Sequence, residues 1–156
     1  MKTFNFIILS ALLLGSLQVN AQSQKPILDR IDNTISDFMA YDSKAFSENF
    51  TPQTRVINPL GMTFKSPEEI HQVHAKVFES WGTPPSDASI NILQKEVQFL
   101  STDLAMANLL VESFGNKKAG EGKMNYTFLL QHTGGTWLIK FAQLTPVIDL
   151  AVAMNK

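Results

Sequence analysis

The chain has 156 residues, of which 44% are hydrophobic and 17% are charged, and its formal net charge at pH 7 is −1. This near-neutral balance, without a cluster of lysine or arginine, excludes the basic face that a nucleic-acid partner requires. The chain has no cysteine, which excludes a disulfide framework, thiolate catalysis and a zinc–sulfur site.

The first 21 residues have the features of a secretory signal. Lys2 precedes an apolar run from Phe6 to Leu17, which is too short to cross a bilayer comfortably. We therefore expect cleavage after Ala21 and a secreted or periplasmic mature chain, residues 22–156, without a membrane span. An uncleaved anchor is the alternative, whereas a lipoprotein signal is excluded because no cysteine can be acylated. The length of the mature chain is typical of one domain.

Apolar residues spaced by three and four positions predict a helix over residues 26–41. Its buried face comprises Ile27, Leu28, Ile31, Ile35, Phe38 and Met39. A second, shorter helix is expected to begin at an N-cap, Asp42 or Ser43, and to bury Phe46 and Phe50, which are four positions apart.

The clearest local pattern begins the third helix. Ser66, Pro67 and Glu69 form a capping box, with the serine as N-cap and the proline at the first helical position. The apolar stripe that follows has helical spacing and comprises Ile70, Val73, His74, Val77, Phe78 and Trp81. Gly82 and the two prolines after it should end the helix.

The rest of the chain alternates with a period of two, which is typical of strands. A short hairpin is predicted first, followed by four longer strands from residue 88 onward. The strand segments with the clearest pattern are 54–58, 62–64, 103–113, 124–132 and 136–145. Short turns between consecutive strands predict an antiparallel meander, and three helices on one face of it give an α+β fold.

Several local strings carry a resemblance to a known family. They are Tyr41-Asp42 with Phe46 and Phe50, Asn58-Pro59-Leu60-Gly61, Ile70 with His74, and Gly135-Thr136-Trp137-Leu138-Ile139 before Gln143-Leu144-Thr145. In this order they resemble the SnoaL-like, or nuclear transport factor 2-like, superfamily, in its SgcJ/EcaC and ketosteroid-isomerase-like branch. The resemblance covers nearly all of residues 26–146. It departs at residues 65–67, Lys-Ser-Pro, where the family often has a glycine.

The resemblance implies a cone-shaped fold. A curved antiparallel sheet would wrap around three helices from the N-terminal half and leave a cavity open at one end. Members of the family use this cavity as isomerases, dehydratases, cyclases, epoxide hydrolases or binding modules, and many form dimers through the outer face of the sheet. Function must therefore be argued from the site and not from the fold.

His74 is the sharpest candidate for chemistry. At 100° per residue it lies in the middle of the apolar stripe, where burial would favour a neutral imidazole that can act as a base. The alternative is a structural histidine hydrogen-bonded to a strand. His71 and His74 have an H-x-x-H spacing, but no third ligand follows at a suitable distance, so neither a metal nor another cofactor is predicted.

The predicted pocket is enclosed and apolar, with aromatic walls and a few neutral polar groups. Its candidate lining residues are Tyr41, Phe46, Phe50, Asn58, His74, Phe78, Trp81, Asn108, Tyr126, Phe128 and Gln143. Gln143 is expected inside because it shares parity with Trp137 and Ile139. Asp42 is expected to cap a helix rather than to act as an acid in the pocket. Glu112 is either an inward-facing base or an outward-facing residue, and we favour the outward orientation.

These residues leave three functions open. The first is an exported domain that binds a small apolar or amphipathic molecule. The second is an enzyme of the isomerase, dehydratase or hydrolase type, with His74 as general acid or base on a hydrophobic substrate. The third is an association domain, a homodimer formed through the sheet. Many catalytic relatives have a histidine near the position of Gln143, and a glutamine cannot transfer protons at neutral pH. This difference favours a binding function over catalysis.

Overall fold

A computed structural model describes residues 22–148, so the predicted signal, residues 1–21, and residues 149–156 lie outside the described part of the chain. In chain order the elements of that part are α1 (Lys25–Met39), α2 (Ser43–Glu48), β1 (Phe50–Ile57), β2 (Thr63–Phe64), α3 (Pro67–Trp81), β3 (Ser89–Phe99), β4 (Leu104–Phe114), β5 (Gly122–Thr133) and β6 (Thr136–Pro146). No helix within residues 22–148 is long and apolar enough to cross a membrane.

The six strands form one curved sheet in the order β2-β1-β6-β5-β4-β3. Strands β3 to β6 are the predicted antiparallel meander, and β1 pairs with β2 as the predicted hairpin. The hairpin joins the meander through β1 and β6, which run parallel. The expectation of an entirely antiparallel sheet is therefore wrong at this pair, because no tight turn links the two strands and forces them to run in opposite directions. The α+β class is confirmed.

The second helix is shorter than the sequence predicts. It ends at Glu48, because the Asn49 side chain donates hydrogen bonds to the carbonyl oxygens of Ala45 and Phe46, at 2.9 and 3.2 Å, and so satisfies the last helical turn. The prediction that Phe50 lies on this helix is wrong, since Phe50 begins β1 and pairs with Ile139 of β6. Phe50 is nevertheless buried.

The third helix begins as predicted. The Ser66 Oγ accepts a hydrogen bond from the Glu69 N–H at 3.2 Å, and the Glu69 Oε2 accepts one from the Lys65 N–H at 2.8 Å. The helix ends at Trp81, and Gly82 follows with a φ of 77°, a conformation that glycine adopts without strain. These two ends fix which residues of α3 face the sheet.

The inner face of the sheet carries the core. Along β4, β5 and the first half of β6, buried residues alternate with half-exposed ones on the outer face. The buried set is Ala105, Ala107, Leu109, Val111, Tyr126, Phe128, Leu130, Trp137, Ile139 and Ala142. Ile27 and Ile31 of α1 and Ile70 of α3 pack against it and are fully buried, each contributing about 1.5–3 kcal/mol through burial.

Strand β6 contains a β-bulge at Lys140. Leu129 and Leu130 are consecutive on β5, but their partners on β6 are Phe141 and Ile139, so Lys140 has no partner on β5. Because side chains alternate along a strand, an extra residue moves every later side chain to the opposite face.

A half-buried arginine joins α1 to the sheet. Arg30 donates hydrogen bonds from Nε to the Trp137 carbonyl oxygen at 2.8 Å, from Nη1 to the Asn49 Oδ1 at 2.7 Å and from Nη2 to the Thr136 Oγ1 at 3.0 Å. Asn49 also donates to the Asp37 carboxylate at 2.8 Å. Side chains from α1, the α2–β1 junction and β6 are thus held in one polar network.

Candidate functional site

His74 lies among phenylalanine rings between the helices and β2. The centroid of its imidazole is 4.9 Å from that of Phe46, 5.6 Å from those of Phe64 and Phe78, and 6.3 Å from that of Phe38. These residues come from four elements, α1, α2, β2 and α3. The ring is therefore half-buried in an almost entirely apolar environment.

This environment sets the protonation state of His74. Burial lowers the pKa of the imidazole, and a hydrogen bond to the Ile70 carbonyl oxygen opposes that shift. The same bond, at 2.7 Å, engages Nδ1, so the neutral ring carries its proton there and leaves the lone pair on Nε2. His74 is thus neutral at pH 7, and Nε2 is a potential base.

An open cleft of about 360 Å³ lies at the C-terminal end of α3. Tyr41, at the junction of α1 and α2, and Trp81, the last residue of α3, form its aromatic part, with ring centroids 5.5 Å apart. The loop between β4 and β5, including Asn116, forms the opposite wall. Phe78 stacks on Tyr41 at 4.9 Å and lies 5.6 Å from His74, so a row of aromatic rings leads from the cleft to the imidazole.

The conformation of Tyr41 is unusual for a residue with a side chain. Its φ is 59°, and it is the one residue other than glycine with a positive φ in residues 22–148. Such a backbone costs about 1 kcal/mol or more unless other contacts compensate. Two contacts do so here, the stacking on Phe78 and a hydrogen bond of 2.9 Å from the Asn116 Nδ2 to the Tyr41 Oη.

Four of the predicted lining residues lie deeper, and none of them borders the cleft. Phe46 and Phe50 are in edge contact at 5.3 Å, and Tyr126 and Phe128 are buried on the inner face of β5 with centroids 6.0 Å apart. Burial raises the pKa of the Tyr126 phenol to about 12, so this group stays protonated. The cleft is open to solvent and does not include His74, which differs from the enclosed pocket expected from the sequence.

Asn58 has a structural role in the turn between β1 and β2. Its Oδ1 accepts hydrogen bonds from the N–H groups of Leu60 and Met62, at 3.0 and 2.9 Å. Asp42 likewise caps α2, since its carboxylate accepts from the Ala45 N–H at 2.9 Å. Both polar groups are therefore used by local backbone.

Gln143 and Asn108 lie on the outer face of the sheet, away from the helices. The bulge at Lys140 reverses the alternation of β6, so Ala142 is buried and Gln143 is exposed. The expectation that Gln143 points inward is therefore wrong. Asn108 alternates with buried neighbours on β4 and accepts a hydrogen bond from the Thr127 Oγ1 at 3.0 Å. Glu112 has the same parity as Asn108, which is the outward orientation that we favoured.

The loop residues of the cleft were not singled out by the sequence. The sequence predicts only a loop rich in glycine and lysine over residues 116–123. It does not predict that the Asn116 side chain is buried. The Asn116 Oδ1 accepts the Ala119 N–H at 3.1 Å, a local turn that Asn favours, but its second bond, to Tyr41, depends on the tertiary fold. Among residues 22–148, no three histidine or carboxylate side chains are grouped as metal ligands.

A second open cleft, of about 310 Å³, lies beside the N-terminal part of α1. Arg30, His132 and Trp137 border it, and the imidazole of His132 lies 5.3 Å from the indole of Trp137. The arginine already donates three hydrogen bonds within the protein, two of them to Thr136 and Trp137, which border the same cleft.

Comparison with known proteins identifies the fold and no closer relationship. No protein-family model matches the chain, and no curated protein matches it. Many solved structures do match. One is an NTF2-like protein of unknown function from Pseudomonas putida KT2440, with 15% identity and a TM-score of 0.68 over 83% of this chain and 89% of that one.

Two further structures have names that suggest functions. A ketosteroid isomerase-like protein from Erwinia carotovora atroseptica has 20% identity and a TM-score of 0.64, over 83% of this chain and 99% of that one. A protein from Xanthomonas campestris, assigned as a calcium/calmodulin dependent protein kinase II association domain, has 14% identity and a TM-score of 0.67, over 86% and 94%. The chain therefore has the fold of the nuclear transport factor 2-like, or SnoaL-like, superfamily.

Proposed function

We propose that this protein is a binding domain for a small apolar or amphipathic molecule, and that the cleft beside Tyr41 and Trp81 is the binding site. The observation that carries the proposal is the cleft itself, which combines two adjacent aromatic rings with a few polar groups. Its volume of about 360 Å³ is within the range of small-molecule sites, which usually have this mixed lining. Solved structures of the same fold include proteins named for isomerase activity.

The cleft walls are fixed before any ligand arrives. Gly115 has a φ of 72°, and a Cβ at this position would lie 2.6 Å from the Asp87 carbonyl oxygen, so only glycine lets the two loops approach so closely. The Glu121 carboxylate accepts the Gly115 N–H at 3.0 Å, and the Lys118 ammonium donates to the Trp81 carbonyl oxygen. A preorganised site loses less entropy on binding.

The test is a screen of aromatic fragments by ¹H–¹⁵N NMR on the mature chain. We expect the fragments that bind to shift the indole N–H of Trp81 and the side-chain amide of Asn116. The Trp81→Ala variant should lose the shift of the Asn116 amide, whereas Trp137→Phe, a change at the second tryptophan, should retain both shifts. Fragments that shift only residues distant from the cleft would contradict the proposal.

A second candidate function is catalysis by His74, favoured by the neutral imidazole with its free Nε2 lone pair. A general base needs access to substrate, and His74 is surrounded by four phenylalanine rings, so a substrate would have to separate them. An isomerase or dehydratase activity found on a hydrophobic substrate should fall by at least about 10²-fold in His74→Gln. Turnover that is unchanged in this variant would end the hypothesis.

A homodimer is a third proposal, based on the outer face of the sheet. Met106, Leu129 and Phe141 are direct neighbours across β4, β5 and β6 and form a half-exposed apolar row. Apolar rows of this kind are common in dimer interfaces, and one structure of the same fold is assigned as an association domain.

We further propose that residues 1–21 direct export and are removed. The support is the sequence pattern of a charged start, a short apolar run and a small residue at position 21. Mass spectrometry of the protein from a periplasmic or culture fraction should give a chain that begins at Gln22. The Ala21→Arg variant should keep its leader, and an unprocessed wild-type chain would contradict the proposal.

A further inference from the structure

We infer that the Tyr41 phenol is the specificity-determining donor of the cleft, positioned by Asn116, and that the ligand is a flat apolar molecule with a hydrogen-bond acceptor oxygen at its edge. This inference rests on the proposed function of the cleft and adds the class of ligand.

The hydrogen bonds of Asn116 fix the direction of the phenol proton. The Asn116 Oδ1 accepts the Ala119 N–H, so the amide orientation is set and Nδ2 must be the group that faces Tyr41. Nδ2 is a donor only, and the Tyr41 Oη therefore accepts this bond. The phenol O–H has no acceptor among residues 22–148, so it remains free to donate to a molecule in the cleft that Tyr41 borders.

The positions of both groups are tightly held. Asn116 is only 3% exposed, and the Tyr41 ring is parallel to Phe78 within 6°. A residue with a φ of 59° at this place would be least strained as glycine. The chain instead holds a tyrosine there against its backbone preference, and strain of this kind is concentrated at sites of function.

The charges around the cleft favour a polar acceptor over a full ion. Lys117 and Lys118 are balanced by Asp87 and Glu121. Lys118 and Glu121 are already engaged with backbone groups of the cleft walls. The remaining lysine and aspartate have opposite charges, so the cleft offers flat aromatic surface together with the directed O–H donor of Tyr41.

The experiment compares two probes of the same shape, acetophenone and ethylbenzene, which differ in a carbonyl group. Each is titrated into the wild-type chain and the Tyr41→Phe variant, with the amide resonances around the cleft as the readout. Tyr41→Phe removes only the hydroxyl and keeps the ring on Phe78. We expect the Kd of acetophenone to rise about five-fold, the value of one net hydrogen bond, and the Kd of ethylbenzene to stay the same.

Two further variants separate specific from general effects. Tyr126→Phe removes the other phenol of the described chain, which is in the core, and should change neither Kd. Asn116→Ala should weaken acetophenone and leave ethylbenzene unchanged if Asn116 acts through Tyr41, whereas a merely structural role would weaken both.

The outcomes distinguish this inference from the proposed function. If both probes bind in the cleft and Tyr41→Phe changes neither Kd, or changes both equally, the phenol is not the specificity determinant and the inference is overturned while the binding site stands. If neither probe shifts the cleft resonances of the wild-type chain at millimolar concentration, both the inference and the proposed site are overturned.

Discussion

At the scale of single residues, His74 combines an apolar surrounding with an ionisable ring. Burial holds its folded-state pKa below 6.5, the value expected in the unfolded chain. Below pH 6.5 the unfolded chain therefore binds a proton that the folded chain does not. The free energy of unfolding should be highest above pH 6.5 and fall as the pH decreases towards the folded-state pKa.

This prediction can be measured by urea unfolding at pH 7.5 and pH 5.5, together with an NMR titration of the imidazole. In His74→Gln the difference in stability between the two pH values should become smaller. His132→Gln is the matched control, because His132 is exposed, and it should keep the wild-type difference. An equal pH dependence in wild type and His74→Gln would show that the imidazole is not the group responsible.

Asn49 is a second residue whose burial has an energetic consequence. It is 2% exposed, accepts from Arg30, and donates to Asp37 and to the end of α2. Asn49→Ala leaves these partners unsatisfied and should lower the free energy of unfolding by about 2–4 kcal/mol. Asn33→Ala, at an exposed position of α1, should change it by less than about 0.5 kcal/mol. Chemical denaturation of both variants checks the difference.

At the scale of elements, the bulge in β6 decides which residues reach the core. Deleting Lys140 would remove the bulge and keep the pairs between β5 and β6, so Ala142 stays inward and Gln143 stays outward. It would, however, remove the carbonyl oxygen that accepts a hydrogen bond of 3.3 Å from the buried Thr54 Oγ1, and it would alter the pairing of β6 with β1. A buried hydroxyl that loses its partner costs about 1–3 kcal/mol, in addition to the altered contacts between β1 and β6. We expect the deletion to lower the midpoint of thermal unfolding by about 5 °C or more, as followed by circular dichroism.

The control for this deletion is Lys140→Ala, which keeps the residue count of β6. It loses only the hydrogen bond from Lys140 Nζ to the Gln131 side chain and should unfold within a few degrees of wild type. A deletion variant that unfolds at the wild-type temperature would show that the bulge does not contribute to stability.

The same elements show what the sequence can and cannot predict. The capping box at Ser66 and the period of α3 depend on neighbouring residues, and both are confirmed by the structure. The bulge at Lys140 and the end of α2 at Asn49 depend on contacts with distant strands and helices, and they were missed. Gln143 was consequently placed on the wrong face, although the strand that carries it was predicted correctly.

The candidate site was less predictable than the fold for the same reason. Tyr41 and Trp81 were identified as aromatic residues of a pocket, and they do border the cleft. Asn116 was not identified, because its pairing with Tyr41 joins positions 75 residues apart, and no local pattern reports such a contact. The enclosed pocket was inferred from the family, whereas in this chain phenylalanine rings surround the imidazole.

At the scale of the whole molecule, the outer face of the sheet predicts the oligomeric state. If the row of Met106, Leu129 and Phe141 is a dimer interface, Leu129→Glu should convert a dimer into a monomer in sedimentation equilibrium, because like charges would then face each other without water. Asn33→Glu, at an exposed position of α1, which covers the opposite face of the sheet, should leave the dimer intact. A wild-type chain that sediments as a monomer at 100 μM protein, a concentration about 100-fold above a micromolar Kd, would contradict the homodimer.

The parallel pairing of β1 with β6 has a consequence for the order of folding. The meander from β3 to β6 can assemble from strands that are neighbours in sequence. Arg55 of β1, in contrast, pairs with Phe141 of β6, and contacts between residues so far apart in sequence form slowly. The N-terminal hairpin therefore joins last. Substitutions in β1 should accelerate unfolding and leave the refolding rate almost unchanged, and until β6 has been synthesised β1 remains an unpaired edge that a chaperone would have to cover.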